Sequence, residues 1–181
     1  NAAVGLDYTI SKNDLKKFDF SIAQIINSEE NKKMSDASSL NEKLSDLVGT
    51  MSLGNDKAKL SYNFNIDQNY KEFNYNELTT SYDFDSFQIN LNYLKEQKHL
   101  GDQEYLKTKL DIFKNDNNQL SFENKRDLIT NSSEFYNLSY EYINDCLRAG
   151  LVFRREFYND SEIEPEDSLM FKISFTPLGE I

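Results

Sequence analysis

The chain has 181 residues, 20 basic and 31 acidic, a net charge of -11, and only 38% hydrophobic residues at a mean hydropathy of -0.71. No run approaches the roughly 18 consecutive apolar residues of a membrane helix, and the negative charge supplies no counterion-release term for a phosphate backbone, which excludes nucleic acid as a partner. Phe 13 and Tyr 11, against Trp 0, Pro 2 and Gly 6, suit strands that are wet on one side better than a soluble core.

Neither a start Met nor a basic-then-apolar leader opens the chain, so the expectation is a fragment or a processed piece. Alternation of period 2 begins at once. Val4, Leu6, Tyr8 and Ile10 share one parity, and beyond a turn at Lys12-Asn13-Asp14 so do Phe18, Phe20 and Ile22. A polar link from Ser28 to Glu42 follows. Ser35 to Val48 has some helical spacing, but reads as a loop leading into the strand of Leu47, Gly49, Met51 and Leu53.

Beyond the turn Gly54-Asn55-Asp56 come Ala58, Leu60, Tyr62, Phe64 and Ile66, then a link from Asp67 to Lys71. The next strand is less regular, because Phe73 and Tyr75 have the opposite parity to Leu78, Thr80, Tyr82 and Phe84; a bulge is expected there. Asp85-Ser86 turns the chain into Phe87, Ile89, Leu91 and Tyr93, and a link from Lys95 to Gln103 leads to Leu106, Thr108, Leu110 and Ile112.

After the turn of Asn115 to Asn118 the run at Leu120 and Phe122 is weaker, followed by a link from Asp127 to Ser133 and by Tyr136, Leu138, Tyr140 and Tyr142. Asn144-Asp145 turns into Leu147, Ala149, Leu151 and Phe153; the acidic link Asn159 to Glu166 precedes Leu169, Phe171, Ile173 and Phe175. The expected class is therefore all-β: an antiparallel transmembrane β-barrel segment of about eleven strands, with every second connection the long one. An odd count cannot close a barrel of the usual even kind, so strands are expected upstream, with residues 1–181 forming its C-terminal portion. The short turns are expected on the periplasmic side, and with them the C-terminus.

Catalytic raw material is thin, because His99 and Cys146 are the only residues of their types. His99 reads as a solvated loop histidine, and no serine can be tied to it by spacing for a barrel phospholipase. The acidic link at 159–167 has oxygen ligands for a divalent cation but neither fixed ligand spacing nor a turn glycine, and reads as a solvated loop. No catalytic residue, metal or cofactor is expected. Asn131, Asn137 and Asn159 fit the glycosylation pattern as an Asn-rich chain does by chance. Cys146 falls beside a short turn, on the expected periplasmic rim, where a lone thiol in an oxidising compartment suggests a partner elsewhere.

From Tyr140-Glu141-Tyr142-Ile143-Asn144-Asp145-Cys146 through Arg154-Arg155-Glu156-Phe157-Tyr158 to Ser174-Phe175-Thr176-Pro177-Leu178-Gly179, the chain resembles the C-terminal barrel of the LptD family of lipopolysaccharide-assembly outer-membrane proteins. The likeness covers roughly residues 134 to 179, with Ser45-Asp46-Leu47-Val48-Gly49 similar upstream. It implies a large barrel in the Gram-negative outer membrane, an N-terminal periplasmic domain fed by the bridge protein LptA, and a lumen plugged by the lipoprotein LptE. It also implies that Cys146 forms a disulfide with a cysteine of that N-terminal region; where some relatives have two adjacent cysteines, this chain has Cys146-Leu147. The final strand, Ser168 to Leu178, would form a lateral seam, with Leu169, Phe171, Ile173 and Phe175 facing lipid, Pro177 weakening the pairing, and Lys172, Ser174 and Thr176 facing the lumen. The competing readings are a diffusion porin or receptor barrel, and a soluble β-rich adhesin or sandwich.

Overall fold

The computed structural model describes residues 1–12, 16–98, 101–112, 115, 117–157 and 166–175. The strands are β1 (Ala2–Lys12), β2 (Lys16–Ile26), β3 (Leu47–Gly54), β4 (Ala58–Ile66), β5 (Phe73–Asp83), β6 (Phe87–Glu96), β7 (Gln103–Ile112), β8 (Asn118–Asp127), β9 (Ser132–Ile143), β10 (Leu147–Glu156) and β11 (Glu166–Phe175). They hydrogen-bond in strict chain order, so that among the described residues β1 pairs only with β2 and β11 only with β10. Among the described residues no helix is long and apolar enough to cross a membrane, which says nothing of a strand-built barrel.

The chain divides into two compact units, Asn1–Ser81 with Asn92–Tyr105, and Tyr82–Leu91 with Leu106–Ile181. In the first unit the register converts sequence alternation into rows. Leu6 lies opposite Ile22, Ile22 opposite Gly49, and Gly49 opposite Phe64; the next row is Tyr8, Phe20, Met51 and Tyr62, and the next Ile10, Phe18, Leu53 and Leu60. Because side chains of successive strand residues point to opposite sides, the other face reads Asp7, Ser21, Thr50 and Asn63, then Thr9, Asp19, Ser52 and Ser61. Each directly opposed pair is worth roughly 0.2–1 kcal/mol. A one-residue slip would turn every row over, so the pattern itself pins the register.

The second unit repeats the arrangement. Leu120, Tyr140, Leu151 and Phe171 form one apolar row and Phe122, Leu138, Phe153 and Leu169 another, while Gln119, Glu141, Gly150 and Lys172 lie on the opposite face. The pairing of β8 with β9 is irregular between Lys125 and Arg126. At the expected irregularity in β5, Phe73 meets the apolar-face ring of Phe64 at 6.4 Å and Asn76 takes the hydroxyl of Tyr62. Between them Asn74 reaches Asp46 and Tyr75 reaches Glu77.

Three of the short turns are built by one device. Asn55 Oδ1 accepts from the amides of Lys57 and Ala58 at 3.0 and 2.7 Å, Asn115 Oδ1 from Asn117 and Asn118 at 3.1 and 2.6 Å, and Asn144 Oδ1 from Cys146 and Leu147 at 3.0 and 2.7 Å. An Asn side chain thus replaces the backbone carbonyl of a turn. The turn expected at Asn13-Asp14 lies outside the described residues. The alternation of connection lengths holds with one correction: 27–46, 67–72 and 97–102 are longer than the turns beside them, but 128–131 is shorter than 113–117. Asp127 makes that compactness feasible by accepting from the amides of Ile129 and Thr130 at 2.8 and 3.0 Å.

Candidate functional site

The alternation leaves the apolar rows uncovered. Among the described residues no hydrophobic side chain is buried, whereas Leu6 is 60%, Leu169 68% and Phe171 70% exposed. Folded monomers in water rarely expose contiguous apolar patches on this scale. In the second unit, aromatic clusters bracket the apolar face. At the short-turn end Phe84 stacks on Phe87 at 4.3 Å; at the long-loop end Tyr136 meets Phe157 at 5.5 Å and Arg155 lies over the Phe157 ring at 5.4 Å. Such girdles flank the hydrocarbon band of membrane barrels, where a ring faces lipid on one side and polar groups on the other.

Much of each polar face is paired internally. In the first unit Glu77 accepts from Asn63 Nδ2 at 3.1 Å, Tyr75 Oη at 2.8 Å and Asn92 Nδ2 at 3.0 Å, while Asn92 also donates to Thr79 at 2.8 Å. Asp19 accepts from Thr9 and Ser52 at 2.9 and 3.3 Å and pairs with Lys17 at 3.2 Å. In the second unit Lys107 pairs with Glu123 at 2.6 Å, Lys109 with Asp111 at 3.1 Å and Arg148 with Glu141 at 3.2 Å. Ser121 and Gln119 both donate to Asp111, and Asn137 donates to Glu123 at 3.3 Å. These surfaces interleave donors, acceptors and both signs of charge.

At the long-loop end of the first unit the connection 27–46 is folded and anchored. Ile26 bridges to Leu44, Asn27 Nδ2 donates to the carbonyls of Leu40 and Glu42 at 3.2 and 2.7 Å, and a 3-10 turn spans Asp36–Ser38. Only that turn realises the helical spacing of 35–48; the rest leads into β3 as a loop. Asp46, 2% exposed, pairs with Lys98 Nζ at 3.2 Å and accepts from Asn74 Nδ2 at 2.8 Å. Asp67 organises the next connection, accepting from the amides of Lys71, Glu72 and Asn69 at 2.6, 2.9 and 3.2 Å. Those backbone donors, that of Glu72 foremost, hold its carboxyl below the usual range. Tyr70, at φ 58, donates its hydroxyl to Gln24 at 2.9 Å.

Cys146 is exposed and unpaired in the turn that Asn144 caps, at the short-turn end. Leu169, Phe171, Ile173 and Phe175 all lie exposed on β11, and Lys172 and Ser174 occupy the alternate positions opposite Gly150 and Arg148. Thr176, Pro177, His99 and most of the acidic link, 158–165, lie outside the described residues. The Asp46, Asn74 and Lys98 cluster escaped the sequence reading, since its members are separated by 28 and 52 positions. The one available signal was that Asp46 belongs to the short upstream segment with family likeness.

The sequence profile of the LptD family, described as LPS transport system D, matches residues 1–124. It covers β1 to β7 and most of β8, and stops short of the 134–179 region that carries most of the residue-level resemblance. Direct comparison with the curated proteins gives no match. With the profile spanning more than half of the chain and one antiparallel sheet apolar on one face and polar on the other, the chain belongs to the LptD family, the outer-membrane β-barrel proteins of lipopolysaccharide transport.

Proposed function

We propose that this sheet is the C-terminal portion of a barrel that inserts lipopolysaccharide into the outer leaflet, its apolar face in hydrocarbon and its polar face lining the lumen. The observation behind the reading is the uncovered apolar rows, which no protein interior buries among the described residues. Acyl chains favour the bilayer and sugars favour water, so a polar lumen beside a separable seam lets each part of the lipid follow its own solvent, with no covalent step. β11 forms that seam. Leu169, Phe171, Ile173 and Phe175 stay in lipid, Lys172, Ser174 and Thr176 accompany the sugar portion, and Pro177, which has no N–H to donate, weakens the pairing.

The short-turn end and the C-terminus are periplasmic in this reading, and Cys146 bridges to an N-terminal periplasmic domain. LptA delivers lipid to that domain, and LptE plugs the lumen. A photoreactive residue at Thr50 of the full-length protein tests the transport role. We expect a lipopolysaccharide adduct while supply from the periplasm continues and none once it is cut. No adduct under continued supply overturns the reading. For the bridge, Cys146→Ser is expected to abolish the mobility difference between oxidised and reduced gels, and an unchanged difference removes it.

A further inference from the structure

The polar face of the second unit contains a depression of about 280 Å³, approached by β7 to β11 and lined by Lys109, Gln119, Asn137, Glu141, Val152 and Lys172 among others. Its floor is a missing side chain. Gly150 lies opposite Glu141 on one side and opposite Lys172 on the other, so the row Gln119, Glu141, Gly150, Lys172 is interrupted at its third position. A Cβ built at Gly150 would have the carbonyl oxygen of Tyr140 as its nearest neighbour, at 3.6 Å, an ordinary contact. The backbone therefore does not require glycine here; what the glycine provides is room above the sheet.

The charges around this gap do not cancel. Glu123 is held by Lys107, Glu141 by Arg148, and Lys109 by Asp111. Lys172 has no ion-pair partner among the described residues and is exposed beside the gap. Asn137 Oδ1 is buried on the same wall with no hydrogen-bond partner. An unpaired ammonium, a free acceptor, and the Gln119 and Ser139 side chains around the gap match a sugar ring bearing an anionic substituent. Its hydroxyls donate to Asn137 and its anion pairs with Lys172.

We infer that the depression over Gly150 is a subsite for an anionic sugar, with Lys172 pairing the anion and Gly150 admitting the ring. This rests on the proposal that the polar face conducts the saccharide part of lipopolysaccharide, and names where and by which groups that part is held. The test uses the full-length protein with a photoreactive residue at Val152, and the Thr50 position as the control for the conducting face. Lys172→Gln is expected to lower the lipopolysaccharide adduct at Val152 about fivefold, the scale of one exposed charged contact, and Lys172→Arg to retain it. The Thr50 adduct stays unchanged in both.

In the purified protein, glucose 1-phosphate is expected to suppress the Val152 adduct at concentrations where glucose and inorganic phosphate do not. Gly150→Val, checked for a folded barrel by its heat-modifiable gel mobility, is expected to remove the competition. A Thr50 adduct alongside a Val152 adduct insensitive to Lys172→Gln overturns the subsite alone. Loss of adducts at both positions in the unmodified protein overturns the conducting face as well. Equal competition by inorganic phosphate overturns the sugar specificity.

Discussion

The ring of Phe64 occupies the space directly above Gly49, on the neighbouring strand: a Cβ at Gly49 would meet Phe64 Cζ at 2.2 Å. The two residues are paired in register, and the ring covers a backbone that glycine alone would leave bare toward the surroundings. Gly49→Ala is therefore expected to push the ring aside and destabilise the full-length barrel by about 1 kcal/mol, the low end for overpacking because a terminal ring can swing. Urea unfolding in lipid vesicles measures this. The cost should vanish in a Phe64→Leu background; a penalty of the same size there would mean that Gly49 is required for another reason.

Lys98 and Asp46 tie the long connection 27–46 to the end of β6. Removing the ammonium with Lys98→Met leaves a carboxylate of 2% exposure with Asn74 as its remaining side-chain partner. We expect a loss of about 2 kcal/mol, less than for a fully buried pair because Lys98 is partly exposed. Trypsin cleavage at Lys32 and Lys33 reports it, and should accelerate in Lys98→Met. Cleavage at the original rate would show that the backbone bonds of the loop suffice without the ion pair.

Asp67 makes the connection 67–72 sensitive to acid. Its folded pKa is depressed by the amides it accepts from, so its contribution is fully present above the ordinary carboxylate range and disappears as pH falls through the lower, folded value. Amide exchange at Lys71 and Glu72, corrected for intrinsic rates, should lose protection only below that ordinary range. Asp67→Asn should flatten the profile. Protection lost near neutral pH would assign the ordering of this connection to another group.

The two faces should respond oppositely to the same new charge. Leu151 lies mid-strand in an apolar row, and Leu151→Arg is expected to cost about 2–4 kcal/mol in vesicles. Ser139→Arg, on the polar face, should stay within about 1 kcal/mol. Equal costs at the two positions would be incompatible with lipid on one side and water on the other.

The eleven strands, their apolar parity and the short turns could be read from sequence because each is a local property. Alternation of period 2 is a consequence of the pleat, so Phe18, Phe20 and Ile22 declare a shared face without reference to any neighbour. Asn55, Asn115 and Asn144 likewise reach amides only two and three residues ahead. The compactness of 128–131 was not legible, because an Asp closing a short connection looks like any charged loop residue until its acceptor geometry is formed.

Which residues meet across strands was decided by pairing alone. Register places Gly150 between Glu141 and Lys172, sets Phe64 over Gly49, and brings Lys98 to Asp46 across 52 positions. The strand pattern is written in the spacing of neighbours along the chain, whereas these contacts depend on connection lengths and hydrogen-bond ladders that act on whole strands at once. Two-sidedness was thus determined by the sequence, and the gaps and charge pairs within each side by the tertiary structure.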